Sequence, residues 1–168
     1  MITCEPAVVQ TLGLTKSYGD VLALRDLNLE VPEHSITGFL GPNGAGKSTT
    51  IKLLLGLIHP TAGEGRIFGL DITQESKAIR RRVGYLDQRP TFYPDLTARE
   101  TLRFVARFFY SDSRDIERRV AASLTMVGLE GRVDRPVRGF SGGEMQRLGI
   151  AQAQIHEPDL LILDEPAA

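Results

Sequence analysis

The chain has 168 residues, of which 42% are hydrophobic and 24% are charged, a composition typical of one soluble globular domain. A formal net charge of −1 provides no overall field to recruit nucleic acid or an anionic membrane, and the single cysteine, Cys4, excludes an intrachain disulfide. The sequence has no apolar stretch of membrane-spanning length and no leader pattern at its start, so a cytoplasmic protein is expected.

The first part of the chain is predicted to form antiparallel β-strands over 8–31. Leucines recur at nearly every second position in "DVLALRDLNLEV", which is typical of a strand with one buried face. A short strand over 36–40 is expected to lead into a glycine-rich loop. A helix is then predicted over 47–58, and Pro60 stops it.

Turn and strand patterns alternate in the next segment. The cluster "TAGEG" over 61–65 predicts a turn, and "RIFGLDI" over 66–72 predicts a short strand. A helix is predicted to end in the arginine run 80–82, and a strand follows over 83–86. We interpret these arginines as a solvent-exposed face, because the neutral charge balance and the lack of interleaved aromatics disfavour a nucleic-acid patch.

Three amphipathic helices are predicted next. The first opens with Thr97 and Glu100 in capping-box order. Its apolar face, which we assign to the core, comprises Leu102, Val105, Phe108 and Phe109. The stripe of the second helix comprises Ile116, Val120, Leu124 and Val127, with Gly128 as a C-cap. The third helix spans 141–155 and ends before Pro158.

The order of these elements predicts an α/β fold. It combines a core built around the glycine-rich loop with an N-terminal antiparallel β subdomain and a helical insert. We expect a single domain over residues 1–168, with the helical subdomain at about 92–145. The three histidines, His34, His59 and His156, show no metal-binding spacing and are interpreted as structural or surface residues.

The stretch "GPNGAGKST", residues 41–49, carries the strongest chemical signal. It fits the pattern G-x-x-x-x-G-K-[ST], with a predicted strand before it and a helix after it. Its glycines allow several backbone N–H groups to point inward at the positive end of a helix, which makes an anion site. Lys47 would reach the β- and γ-phosphates of a nucleotide, and Ser48 would ligate Mg²⁺ through its hydroxyl oxygen.

The stretch "LLILDEP" places two carboxylates, those of Asp164 and Glu165, directly after an apolar run. Its four apolar residues, 160–163, predict a strand buried on both faces, as in parallel sheets. Asp164 and Glu165 then lie at the carboxyl end of the strand, where α/β sheets bind ligands. Asp164 would hold Mg²⁺ through water, and Glu165 would polarise an attacking water.

The stretch "FSGGE" supports two interpretations equally on physical grounds. Ser141 and Glu144 stand in capping-box order, and Gly142 and Gly143 expose N–H groups in the first turn of the helix. The segment is either a well-capped helix or a second phosphate-binding helix N-terminus.

Five motifs, in family order from Tyr18 to Pro166, resemble the nucleotide-binding domains of ATP-binding cassette (ABC) transporters. "GPNGAGKST" and "LLILDEP" look like the Walker A and Walker B motifs, and "FSGGE" resembles the signature motif. "GYLDQ" is similar to the strand that ends in the Q-loop, which places the family glutamine at Gln88. "KSYGD" resembles the A-loop, with Tyr18 as the aromatic that stacks on adenine. The flanking sequence looks most like bacterial export-type members.

The resemblance implies ATP and Mg²⁺ as cofactors and a P-loop NTPase core. Glu165 and Gln88 are expected to be catalytic, and Ser48, Gln88 and Asp164 to hold the metal. The residues expected to bind ATP are Tyr18, Gly41, Pro42, Asn43, Gly44, Ala45, Gly46, Lys47, Ser48, Thr49, Ser141, Gly142 and Gly143. In this family two domains pair head to tail, so Ser141, Gly142 and Gly143 would serve the ATP of a partner. Gln88 would link the metal region to the surface that docks a transmembrane permease.

The sequence departs from the family pattern at several positions. Phe140 and Glu144 stand where the family usually has Leu and Gln, and Asp87 precedes Gln88 where it often has Pro. His34 and Ser35 replace a Gly-Glu turn, so His34 is expected to be strained if that turn needs a positive φ.

The family continues beyond the Walker B glutamate with a D-loop and a strand that ends in the switch histidine. Here only residues 166–168 follow Glu165. The resemblance implies that the switch strand lies between the Walker A and Walker B strands, so we expect an incomplete core sheet with unpaired backbone groups. We therefore expect the chain, expressed alone, to fold poorly, and a cooperative thermal transition would contradict this.

The favoured function is the ATPase subunit of an ABC exporter, peripheral on the cytoplasmic face of the cell membrane and without a nucleic-acid partner. One alternative is a soluble ABC ATPase without a transporter, which would usually carry tandem cassettes or coiled-coil inserts. The other alternative is a nucleotide-binding fragment that cannot hydrolyse ATP.

Overall fold

The computed structural model describes residues 7–165, so Cys4 and residues 166–168 lie outside the described part. The chain divides between Arg81 and Arg82 into an N-terminal unit, Met1–Arg81, and a C-terminal unit, Arg82–Ala168. The fold is mixed α/β with an antiparallel β subdomain, as predicted. The single-domain assignment, with its helical subdomain at 92–145, stays a prediction.

A long β-hairpin begins the N-terminal unit and confirms the antiparallel strands predicted there. Strands β1 (Ala7–Tyr18) and β2 (Val21–Pro32) pair in antiparallel register, for example Val9 with Val31 and Leu14 with Leu27. Inward-facing side chains such as Leu14 and Leu24 are buried. The pair forms half of a four-stranded sheet of order β2-β1-β3-β4.

The predicted turn over 61–65 is wrong, because most of this segment belongs to strand β3 (Ala62–Ile67). Strand β3 pairs with β1, with Thr15 opposite Ala62 and Leu12 opposite Glu64. Gly63 has φ +77°, and any side chain there would clash with the backbone of Gly13. The glycines therefore mark a close approach between strands, which a local composition rule interprets as a turn.

The single strand predicted over 66–72 is also corrected. Strand β3 ends at Ile67, and a two-residue turn leads into β4 (Leu70–Asp71). Phe68 and Gly69 both have positive φ, 54° and 76°, as a tight hairpin turn requires.

Helix α1 (Lys47–Leu54) ends four residues earlier than predicted. Gly56 has φ +61°, which breaks the helical path before Pro60 is reached. Arg80 donates from its guanidinium to the carbonyls of Leu55 (2.8 Å) and Gly56 (3.4 Å) just beyond this end. Arg80 is half-buried, so the fully solvent-exposed arginine face predicted for 80–82 is wrong at this residue.

The strand predicted over 36–40 is absent from the structure. Ile36 and Leu40 are 105% and 92% exposed, and no strand among the described residues pairs with this segment. An apolar pattern alone does not make a strand, because its N–H and C=O groups need a neighbouring strand to satisfy them. At the adjoining turn His34 has φ 54°, so the strain expected there is confirmed.

Helix α2 (Ser76–Arg82) leads into the C-terminal unit, where β5 (Val83–Leu86) and β6 (Leu160–Leu163) form a parallel pair. Both strands lie where the sequence predicts them. Strand β6 is less buried than expected, since 160–162 are half-buried and Leu163 is 37% exposed. The prediction of burial on both faces is wrong, because within 7–165 only β5 pairs with this strand.

Three helices build the core of the C-terminal unit: α3 (Ala98–Ala106), α4 (Ser113–Met126) and α5 (Gly142–Gln154). Three residues of the predicted stripe of α4 are buried, Ile116, Val120 and Leu124, whereas Val127 is the C-cap and is half-buried; Gly128 adopts the left-handed conformation of a helix end. Fully buried core residues include Leu102, Val120, Leu129 and Leu148.

Two aromatics assigned to this core lie outside it. Helix α3 ends at Ala106, so the helical spacing that would bury Phe108 and Phe109 does not continue. Phe108 is 70% exposed and contacts Phe104 edge to face, while Phe109 stacks on His156 at 4.2 Å. Within residues 7–165, no helix is both long and apolar enough to span a bilayer.

Candidate functional site

The glycine-rich loop of the N-terminal unit turns into α1 through left-handed backbone. Gly44 and Gly46 have φ 84° and 86°, and Gly46 is the N-cap of the helix. Lys47 donates from Nζ to the carbonyls of Gly41 (2.7 Å) and Pro42 (3.2 Å), so its ammonium lies across the loop. Ser48 and Thr49 follow in the first turn of the helix.

The first turn of α1 has the chemistry that an anion requires. Its N-cap makes no side-chain hydrogen bond, and no acidic residue lies in its first turn. By contrast, α3, α4 and α5 are capped by Thr97, Asp112 and Ser141, and each has an acidic residue in its first turn. No side-chain cap and no first-turn carboxylate therefore oppose an anion at the positive end of α1, and the cation of Lys47 lies beside it. A phosphate group fits this arrangement.

A close contact fixes the loop against the β-hairpin. A Cβ atom added at Gly46 would meet the carbonyl oxygen of Ala23 in β2 at 2.6 Å. Ala23 lies two residues after the hairpin tip, where Tyr18 pairs with Val21. Tyr18 is 49% exposed, and Lys16 Nζ lies 5.0 Å from its ring centroid. The hairpin therefore presents an accessible aromatic ring at the end of the sheet that contacts the loop.

In the C-terminal unit, the predicted glutamine and glutamate lie together. Gln88 Nε2 donates to Glu165 Oε2 at 2.5 Å. Asp164 is buried, and its backbone N–H donates to the carbonyl of Leu86 at 3.0 Å, which extends the β5–β6 ladder by one residue. Strand pairing thus carries all three residues to the carboxyl end of the parallel pair, as proposed from the sequence.

Two residues that were not among the predicted site residues, Tyr85 and Asp87, shape the turn at Gln88. Asp87 accepts hydrogen bonds on both oxygens, from the Tyr85 hydroxyl (3.1 Å) and from the backbone N–H of Arg89 (3.1 Å). Burial, together with the charges of Asp87 and Asp164, raises the pKa of the Tyr85 phenol, so the hydroxyl remains a donor at neutral pH. The Asx-turn spacing, Asp87 followed two residues later by Arg89, was the available sequence signal.

Helix α5 begins at the signature-like turn with both halves of a capping box. Ser141 Oγ accepts from the backbone N–H of Glu144 (3.3 Å), and Glu144 Oε2 accepts from the N–H of Ser141 (2.8 Å). Nothing lies within 4 Å of a Cβ added at Gly142 or Gly143. A glycine in a helix destabilises it by about 0.5–1 kcal/mol relative to alanine, so packing within the described chain does not explain these two residues.

The site residues thus form three groups, each positioned by its own elements. The loop residues 41–49 and Tyr18 belong to the hairpin and α1, Gln88 with Asp164 and Glu165 to β5 and β6, and residues 141–143 to α5. Close packing supports the second group, since side chains at Gly84 and Gly149 would clash with α5 and β5 respectively.

Comparison with known proteins identifies what this chain is similar to. The family described as ABC transporter matches residues 24–168. The bacitracin transport ATP-binding protein BcrA of Bacillus licheniformis is 46% identical over 159 residues, which cover 95% of this chain and 51% of that protein. The Nod factor export ATP-binding protein I of Cupriavidus pinatubonensis is 44% identical over 160 residues, which cover 95% of this chain and 49% of that protein.

A solved structure shows the same fold. A dimeric ATP-binding cassette in a post-hydrolysis state, bound to ADP and Pi, superposes with a TM-score of 0.87 at 30% identity and covers 95% of this chain and 74% of that one. The chain spans about half the length of the curated relatives that it matches.

Proposed function

The chain belongs to the ABC transporter family, and on that premise we propose that it acts as the ATP-binding subunit of an exporter. It binds MgATP and hydrolyses it to drive export across a membrane. The observation that supports this most directly is the start of α1, which has no side-chain cap and no first-turn carboxylate and has the Lys47 ammonium beside it. A helix N-terminus of this kind favours the binding of a phosphate group.

Each group of site residues has a role in this proposal. The loop 41–49 holds the phosphates, and the ring of Tyr18 stacks on adenine. Glu165 orients the attacking water as a general base, and the hydrogen bond from Gln88 holds its carboxylate in place. Oxygen donors suited to Mg²⁺ come from Ser48, Gln88 and Asp164. The metal, when bound, neutralises charge on the phosphate oxygens.

The proposed partners are a second cassette and a transmembrane permease, which would place the protein at the cytoplasmic face of the membrane. The open glycines at the start of α5 support the first partner, because they leave room for a second chain to bring a phosphate close. Relatives named for bacitracin transport and Nod factor export support the second.

Lys47→Ala tests nucleotide binding. Removing a charge-assisted donor to phosphate is expected to weaken ATP binding by about tenfold or more, measured with a fluorescent ATP analogue on the full-length gene product. Lys52→Ala, an exposed lysine on the same helix, is the matched control and should bind as the unaltered protein does. Equal affinities for the two variants would contradict the phosphate site.

Glu165→Gln tests hydrolysis separately. The variant should bind ATP normally, while turnover falls by about a hundredfold or more because the amide cannot accept a proton from water. Full turnover by this variant would remove Glu165 from the mechanism.

Co-purification with a polytopic membrane protein tests the transporter assignment, and recovery with ribosomes instead would favour a soluble ABC ATPase.

A further inference from the structure

The first turn of α5 combines two features that oppose each other. Gly142 and Gly143 keep it open, with first-turn N–H groups that have no partner inside the helix. Glu144 places a carboxylate in the same turn, at the same positive end of the helix. An approaching phosphate would meet this negative charge, so the turn accepts an anion well only if the charge is offset.

The carboxylate of Glu144 is ionised and held on both oxygens. The backbone N–H of Ser141 and the nearby Arg132 and Arg135 hold the pKa of Glu144 below its ordinary value. Oε2 accepts from Ser141, and Oε1 lies 3.2 Å from Nε of Arg132. The side chain of Glu144 is only 13% exposed.

Arg132 reaches this position from outside the helix. It ends the 3₁₀ turn Glu130–Arg132, which follows α4, and its side chain is 52% exposed. An ion pair with so exposed an arginine contributes little to folding stability. Its charge nevertheless lies beside the one acidic group of the phosphate-facing turn, where it changes the local potential.

We propose that Arg132 is a positioning residue for the signature turn. It pairs with Glu144, holds the carboxylate towards the N-cap, and cancels its charge, so that the N–H groups of Gly142 and Gly143 can take the phosphate of an ATP bound by a second copy. The inference rests on the proposed function. It adds that Arg132 acts through Glu144 and not on the nucleotide itself.

A double-mutant cycle on the full-length gene product tests this, with Arg132→Gln, Glu144→Gln and the double variant. ATP-driven dimerisation is measured by analytical ultracentrifugation in a Glu165→Gln background, which keeps ATP intact. Arg132→Gln should raise the ATP concentration for half-maximal dimerisation about threefold to tenfold, because it leaves an unpaired negative charge facing phosphate. Glu144→Gln should dimerise as well as the parent. Adding Arg132→Gln to Glu144→Gln should change the midpoint less than about twofold.

The matched control is Arg118→Gln, which removes the same charge from an exposed ion pair with Asp115 on α4. It should leave dimerisation unchanged. All variants should keep the parent's melting temperature and its affinity for a fluorescent ATP analogue at the loop 41–49, which shows that they fold and bind.

Two results would overturn the inference alone. The Arg132→Gln variant could dimerise at the same ATP concentration as the parent. Alternatively, Arg132→Gln could raise the ATP concentration for half-maximal dimerisation as much in the Glu144→Gln background as in the parent, which would mean that Arg132 contacts the phosphate directly. If the parent itself does not dimerise with ATP, the proposed function of the signature turn fails, and the inference falls with it.

Discussion

Gly46 shows how one residue joins the glycine-rich loop to the sheet. Its φ of 86° is left-handed, and the carbonyl of Ala23 leaves no room for a side chain. The motif pattern predicts a glycine here for the loop's conformation. The second reason, contact with β2, comes from a residue 23 positions away and was not visible in the sequence.

Gly46→Ala should therefore be more damaging than an ordinary glycine substitution. The left-handed backbone costs about 1–2 kcal/mol with a side chain, and the clash with Ala23 adds to it. We expect a loss of about 2–4 kcal/mol in the free energy of unfolding, together with weakened ATP binding. Gly69→Ala is the control, since Gly69 has φ +76° and open space around it. Equal losses in chemical denaturation would show that the Ala23 contact does not matter.

His156 is a structural residue whose environment makes stability depend on pH. Its ring stacks on Phe109, Nε2 lies 3.3 Å from the carbonyl of Val83, and burial lowers its pKa. The folded state therefore binds its proton less readily than the unfolded state. Stability is fully present above the unfolded pKa of about 6.5 and falls as pH decreases through it.

The denaturation midpoint should consequently drop between pH 7.5 and pH 5.5, and His156→Phe should reduce this drop. The exposed His59→Gln should leave it unchanged. A pH profile that is the same in all three proteins would contradict the assignment, as would an imidazole of His156 that titrates normally by NMR.

At the scale of elements, local patterns predicted where helices begin and how α3 and α5 are capped, although α1 and α3 end earlier than predicted. Both capping boxes, at Thr97 and Ser141, form as expected, because all their atoms lie within four consecutive residues. Whether a segment formed a strand depended on whether a neighbouring strand was available to pair with it. Strands β5 and β6 pair, whereas 36–40, which also contains large apolar residues, does not form a strand. Glycines in "TAGEG" mark contact with β1, although the same composition is typical of a turn.

Substitutions in helix α5 test whether the glycines of its first turn are needed for ATP-driven dimerisation or for the stability of the fold. Gly143→Ala should stabilise the protein by about 0.5 kcal/mol, since the site is open and alanine favours helix. ATP-driven dimerisation and turnover should nevertheless fall, because the methyl group obstructs a closely approaching phosphate.

Gly149→Ala on the same helix should do the opposite. An added Cβ there would lie 2.5 Å from Leu86 Cδ1, so the fold should lose stability. Thermal unfolding of both variants provides the comparison. A Gly143→Ala protein that is more stable and fully active would leave the signature turn without a role.

At the scale of the whole molecule, the proposal requires two copies. If the signature turn of one chain completes the site of another, two inactive variants should complement each other. Lys47→Ala removes the lysine that we propose binds phosphate, and Gly143→Asp would block the signature turn. In a mixed head-to-tail dimer, one site carries both defects and the other carries none.

Mixing the two variants should therefore restore up to about a quarter of the normal ATPase rate, from random pairing of the chains. Each variant alone is the control and should stay inactive. Activity that does not increase on mixing would mean that the signature turn serves its own chain or none.

The sequence by itself determined the family, the glycine-rich loop before α1, the carboxylates after β6 and the helix caps, because a few neighbouring residues specify each of them. Only the tertiary structure decided which apolar segments became strands, why Phe109 stacks on His156, and that Tyr85 and Asp87 shape the turn at Gln88. It also revealed the pairing of Arg132 with Glu144. These features depend on backbone pairing and side-chain contacts that no local pattern encodes, and most of them join residues far apart in the chain.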